Sequence, residues 1–226
     1  MKKGLAIWVL LWVTLTGYAQ LTMNGRMCPE LSVNGEVVLT SPEEGLWGVA
    51  AGWSKDWPTD WQYANPDSTM QSGAWTVVYG SLDFPNGKLL LRDSYRMRAN
   101  GLLQCVRRFE WKGKETLRNI TLSARLRMKG THLMPFMPGI LYYGNKMGAK
   151  VDPNIIPVYE GKAGEFAIFE DHRYPMPFVM LEDAKNKRAA AIHVTPSPVR
   201  GAVLQDQWWS FGVETQEHWT DFVLYS

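Results

Sequence analysis

Ile120-Thr121-Leu122-Ser123-Ala124-Arg125-Leu126-Arg127-Met128 is the stretch that decides the fold. Apolar side chains hold every even position and polar ones every odd position. In extended chain successive side chains point to opposite faces, so the pattern predicts a strand with one face on a core and one in water. Immediately upstream, Leu103, Cys105, Arg107, Phe109 and Trp111 share one face of a second predicted strand, opposite Gln104, Val106, Arg108 and Glu110. Both of its faces carry apolar residues, so its orientation stays open. Turn signals separate such runs. Asn34-Gly35, Asn86-Gly87 and Asn100-Gly101 suit tight hairpins that need positive φ, and Trp111-Lys112-Gly113-Lys114 reads as a further turn. Short links of this kind permit antiparallel pairing only. Downstream, Trp208–Val213 and Phe222–Tyr225 read as two more strands. Thirteen prolines and twenty glycines, widely spread, break most candidate helices. The expected fold is all-β: a large antiparallel two-layer β-sandwich with long irregular loops.

Two stretches break the alternation and are expected to be loops. Residues 41–72 hold Trp47, Trp53, Trp57 and Trp61, and residues 135–177 contain Gly144-Asn145-Lys146-Met147-Gly148 and Asp152-Pro153-Asn154. Long excursions in a compact domain are often functional.

The amino terminus has the order of a secretory signal. Lys2-Lys3 precedes an uncharged apolar run from Leu5 to Leu15, and Gly17-Tyr18-Ala19 supplies small residues before a cut ahead of Gln20. Residues 1–19 are therefore expected to be a cleaved leader and 20–226 the mature domain, in the periplasm, secreted or at the cell envelope. The apolar run falls short of the ~20 residues that span a bilayer, and no later segment is apolar enough. The whole chain has 24 basic and 22 acidic residues; losing Lys2 and Lys3 leaves 22 of each. A neutral domain is a poor ligand for phosphate backbones, so nucleic acid is disfavoured. Cys28 and Cys105 either pair or sit as buried small hydrophobes. Neither they nor the histidines show zinc spacing, and no cofactor is expected. The carboxyl-terminal end carries no polar tail after Tyr225, which leads to the expectation that this is the front part of a longer protein.

Candidate ligand residues fall in the two irregular stretches. Indoles offer broad apolar planes to the C–H faces of sugar rings, which makes Trp53, Trp57 and Trp61 candidates for a saccharide subsite, with packing under the loop as the competing reading. Glu170-Asp171-His172-Arg173-Tyr174-Pro175-Met176-Pro177 places charged groups next to a stiff Pro-x-Pro segment, so Glu170, His172, Arg173 and Tyr174 are candidates for holding ligand hydroxyls, with loop anchoring weighed equally. Asn145 joins them from the glycine-rich turn. Asp152, Glu160, Glu165, Glu170 and Asp171 offer carboxylates, yet no spacing selects a catalytic pair, and no nucleophile elbow, zinc helix or phosphate loop occurs.

Met137-Pro138-Gly139-Ile140-Leu141-Tyr142-Tyr143-Gly144-Asn145, Lys150-Val151-Asp152-Pro153 and the 170–177 segment together resemble the amino-terminal region of large secreted glycoside hydrolases of polysaccharide-degrading bacteria. The resemblance covers roughly residues 40–226. It implies a β-supersandwich similar to the galactose-mutarotase fold, followed in those enzymes by an (α/α)6 toroid that carries the catalytic acids. Helical periodicity is almost absent from the sequence, so the resemblance implies a supporting or substrate-shaping domain, with loops 144–153 and 170–177 lining the cleft of a partner helical domain. The expected partner is an oligosaccharide or polysaccharide. The competing expectation is a stand-alone carbohydrate-binding or surface-adhesion module, and a weaker one is a self-contained enzyme using the 152–171 carboxylates.

Overall fold

The computed structural model describes residues 6–12, 19–54, 57–139, 159–170, 174–194 and 210–225; for Ala6–Trp12, Glu170 and Ser210 it describes the backbone only. Among the described residues there is no helix, and every strand pairing is antiparallel. One sheet runs in the order β12 (Met134–Phe136), β14 (Phe178–Asp183), β15 (Arg188–Val194), β1 (Ala6–Trp12), β10 (Leu103–Gly113), β9 (Gly87–Met97), β8 (Trp75–Phe84), β7 (Ser68–Ser72). The second runs β13 (Phe166–Glu170), β16 (Ser210–Thr215), β17 (Trp219–Tyr225), β11 (Thr121–Lys129), β4 (Glu36–Thr40), β3 (Pro29–Val33), β2 (Ala19–Met23). A hairpin of β5 (Trp47–Ser54) and β6 (Trp57–Ala64) joins the second sheet, because β11 pairs with β5 along Thr121–Ala124 and with β4 at Arg127 and Met128. The two-layer, all-β expectation holds.

Alternation builds the core. Leu89, Leu91 and Tyr95 on β9, Leu103, Cys105 and Phe109 on β10, Val179 and Leu181 on β14, and Phe222 and Leu224 on β17 are all buried in one apolar cluster. The same period places Asp93 and Arg107 on that inner face, and both are buried. They satisfy one another: Arg107 Nε and Nη2 donate to Asp93 at 2.9 and 2.7 Å, while its remaining donors reach the carbonyls of Ser123 and Leu46. The Trp47 indole, without exposed surface, donates to Asp93 Oδ1 at 3.0 Å. One ion pair therefore links β5, β9, β10 and β11 through the middle of the sandwich.

Several expectations need correcting. Residues 41–72 contain three strands, β5 to β7, rather than a loop. Aromatic residues favour pleated, half-buried surfaces, and Pro58 is tolerated because β6 pairs on one side only, with β5. The polar side of residues 121–127 is not wet: Thr121, Ser123 and Arg127 are buried. Neighbouring strands supply the partners that allow this, with Arg127 held by both oxygens of Asp221 at 2.9 and 3.1 Å. Asn34 and Gly35 do take positive φ in the β3–β4 turn, but the β8–β9 hairpin turns at Pro85-Asn86, one residue earlier than expected. Cys28 and Cys105 are both free and buried, so the reading as small buried residues stands. The apolar segment Ala6–Trp12, expected to leave with the leader, occupies a strand position between β10 and β15.

Two local features carry testable consequences. Gly212 of β16 lies between β13 and β17, and a Cβ there would fall 1.9 Å from the Ala167 carbonyl oxygen and 2.8 Å from the Ile168 Cα. Backbone cannot yield as a side chain would, so Gly212→Ala is expected to cost at least the ~1–3 kcal/mol of overpacking, measured by chemical denaturation. At the β14–β15 turn, burial works to raise the Asp183 carboxyl, but the Asn186 amide groups and Arg188 outweigh it and hold it below the usual range. A depressed folded value means the contribution is complete above an unfolded value of about 4 and fades as pH falls through the folded one. The melting-temperature gap between wild type and Asp183→Asn should therefore narrow on acidification from pH 5 to pH 2.

Candidate functional site

The second sheet carries a hollow on its outer side, built where the β5–β6 hairpin and β13 flank β11 and β17. Positions 57, 61 and 63 of β6 have the same parity and share a face, which presents Trp57, Trp61 and Tyr63 together. Tyr225 of β17 lies beside them: its ring centroid is 5.2 Å from Trp61 and 5.8 Å from Trp57, the latter edge-on at 87°. Phe166 of β13 closes the far side at 6.2 Å from Trp57, and Trp61 stacks on Tyr63 at 6.4 Å and 19°. The hollow has a volume of about 490 Å³ and is lined by Trp57, Trp61, Tyr63, Arg125, Phe166, Ile168, Glu214 and Tyr225. Trp57, Tyr63 and Phe166 are exposed at 41, 40 and 52 %, far above what core aromatics show here.

The floor is polar. Arg125 of β11 donates to Glu214 and, at 2.8 Å, to the Tyr225 hydroxyl, and its guanidinium lies 5.9 Å from the Tyr225 ring centre. Burial works to lower the Arg125 pKa, but Tyr225, Glu214 and Asp221 hold it above the ordinary arginine value, so the cation is permanent. Its neighbour Asp221 has no exposed surface and is bound through both oxygens by Arg127. Burial also raises the Tyr225 and Tyr63 hydroxyls, which stay protonated. The hollow thus offers aromatic planes on its walls and, at its base, one guanidinium, one carboxylate and two neutral hydroxyls. Charge is balanced within it, because Arg125 faces Glu214 and the next pair is Arg127 with Asp221. The arrangement suits binding.

No known family model, curated protein or solved structure matches this chain.

Of the residues expected from sequence, Trp57 and Trp61 meet in this hollow. Trp53 is exposed but lies outside its lining. Tyr174 is a core residue: it is 8 % exposed, its ring stacks on Phe211 at 3.8 Å, and its hydroxyl donates to the Phe211 carbonyl. That placement fits the loop-anchoring reading of the segment. Glu170 ends β13, with only its backbone described, and Asn145, His172 and Arg173 lie outside the described residues. Tyr63, Phe166, Tyr225, Arg125 and Glu214 escaped the sequence reading. The even spacing that links Trp57 and Trp61 continues to Tyr63 and was the available signal; Arg125 and Glu214 come together only through the β11–β17–β16 order.

Proposed function

We propose that this chain is a glycan-binding β-sandwich domain of an exported protein that takes part in polysaccharide degradation, holding a saccharide in the hollow formed by Trp57, Trp61, Tyr63, Phe166 and Tyr225. What carries the reading is the aromatic lining over the Arg125–Glu214 pair. Pyranose rings present an apolar C–H face and a rim of hydroxyls, so a site for them needs planes for stacking and fixed donors and acceptors beside those planes. Guanidinium and carboxylate side by side can bridge neighbouring hydroxyls, the one donating and the other accepting. The volume is in the range of small-ligand sites. The resemblance to secreted glycoside hydrolases supports the same class of ligand and adds that the domain assists a helical catalytic partner. The leader-like order of residues 1–19 supports export.

Affinity electrophoresis of the chain in gels containing neutral or uronate-rich polysaccharides tests the proposal. Retardation by at least one glycan that is lost in Trp57→Ala/Trp61→Ala supports it; unretarded migration in every gel removes it.

A further inference from the structure

The positive charge on the floor of the hollow is already engaged. Arg125 Nη2 carries two protons, and both have acceptors: Glu214 takes one, and the Tyr225 hydroxyl takes the other at 2.8 Å. Nη1 of the same guanidinium lies 3.7 Å from Asp221 Oδ2. Glu214 is held from a second side, because the Gln216 amide donates to its other oxygen at 3.1 Å. Behind this pair Arg127 is bound by both oxygens of Asp221, and Glu44 lies 3.6 Å from Arg127. Among these described floor groups two guanidinium ions, Arg125 and Arg127, therefore face three carboxylates, Glu44, Glu214 and Asp221. A ligand entering the hollow meets a carboxylate that is fixed in place and a guanidinium whose charge is already matched.

We infer that the hollow selects uncharged sugar units, and that Glu214 is the residue that turns uronate units away. The inference rests on the glycan reading of this hollow and adds the charge of the ligand. A sugar hydroxyl can donate to a lone pair of Glu214 and accept from the Tyr63 hydroxyl, which lines the same hollow. A uronate carboxylate has no proton to donate and can only accept. To be held by Arg125 it would have to displace Glu214, leaving two anions to compete for one guanidinium. The Arg125 and Glu214 side chains are only 15 and 28 % exposed, so water screens that repulsion weakly. The aromatic planes do not make the distinction, because they meet the C–H face that neutral and acidic sugars share. Discrimination between ligands of one shape then falls on the built-in like charge, which steers a site by repelling the wrong partner.

The test uses the full chain and the hexose polysaccharide that retards it most in affinity gels, prepared as a matched pair. If that polysaccharide is neutral, its primary alcohols are oxidised to carboxylates; if it carries uronates, these are reduced to primary alcohols. The wild-type chain is expected to bind the charged member at least about tenfold more weakly at low ionic strength. Glu214→Gln keeps the size of the side chain and removes its charge, and should bring the two members within about threefold of each other. Asp83→Asn makes the same change of net charge on the other sheet and should keep the wild-type ratio. Each ratio compares two ligands on one protein, so a fall in folded fraction affects both members alike. If Glu214→Gln does not fold, the wild-type ratio decides. Equal or tighter wild-type binding of the charged member overturns the inference and leaves the glycan reading standing. A tenfold ratio that survives in Glu214→Gln, or one that Asp83→Asn abolishes as well, overturns it too. Failure of every hexose polysaccharide to retard the chain also overturns it, and failure of every polysaccharide removes the glycan reading with it.

Discussion

Asp93→Ala should lower the stability of the sandwich by about 3–5 kcal/mol, the range for removing one partner of a buried ion pair. Asp93 has no exposed surface and serves three groups: the Arg107 guanidinium, the Trp47 indole and the Tyr95 hydroxyl. Its loss leaves a buried cation without a counter-charge and two donors without an acceptor. Urea denaturation followed by fluorescence measures the effect, with the Trp47 indole as a reporter at the lesion. The double variant Asp93→Leu/Arg107→Met should recover part of the loss, since two apolar groups in place of a buried pair leave no stranded charge. A single-variant cost below about 1 kcal/mol would mean that the pair does not tie the sheets together.

Trp61→Ala should weaken saccharide binding at least tenfold, about 1.4 kcal/mol, with a much smaller effect on folding. Trp61 stacks on Tyr63 and leans on Tyr225, so it forms the wall between the exposed rim and the Arg125–Glu214 floor. Truncating it opens the hollow and removes a plane at once, which is how buried aromatic anchors come to dominate recognition. Glu214→Gln separates the two halves of the site: stacking planes remain while the carboxylate acceptor and its pairing with Arg125 are lost. Titration calorimetry on the best-bound oligosaccharide should show the larger loss for Trp61→Ala. An unchanged affinity in Trp61→Ala would move the ligand elsewhere on the molecule.

Much of the fold was legible because a period of two survives wherever one strand face meets a core. Residues 120–128 read as a strand for that reason, whereas the 103–111 strand and the β16–β17 pair showed as apolar runs because both their faces are largely buried. Misreadings arose where the outward side of a strand is also buried. Arg127 and Ser123 look solvated in one dimension, and only the neighbouring Asp221 and Gly48, brought by β17 and β5, show otherwise. The tryptophan-rich stretch misled in the other direction. Gly52 and Pro58 suggest a loop, yet the glycine accommodates Thr59 and Asp60 across the hairpin, where a Cβ would lie 2.3 Å from Asp60 Oδ2. Asp60 itself takes a φ of 56°, a kink inside a strand that no alternation pattern announces. Two of the eight lining residues, Trp57 and Trp61, were foreseeable from the sequence. The rest, apart from Tyr63 on the same strand, depends on residues 64 to 168 positions away, Arg125, Phe166, Glu214 and Tyr225 among them, and such distances enter only through strand order.

The indole N–H resonances of the ¹⁵N-labelled chain, followed while neutral oligosaccharides are added, test the binding claim most directly. The account predicts that the Trp57 and Trp61 signals shift together and saturably while that of buried Trp47 stays in place. Saturable shifts confined to other tryptophans, or no shift with any glycan, would contradict it.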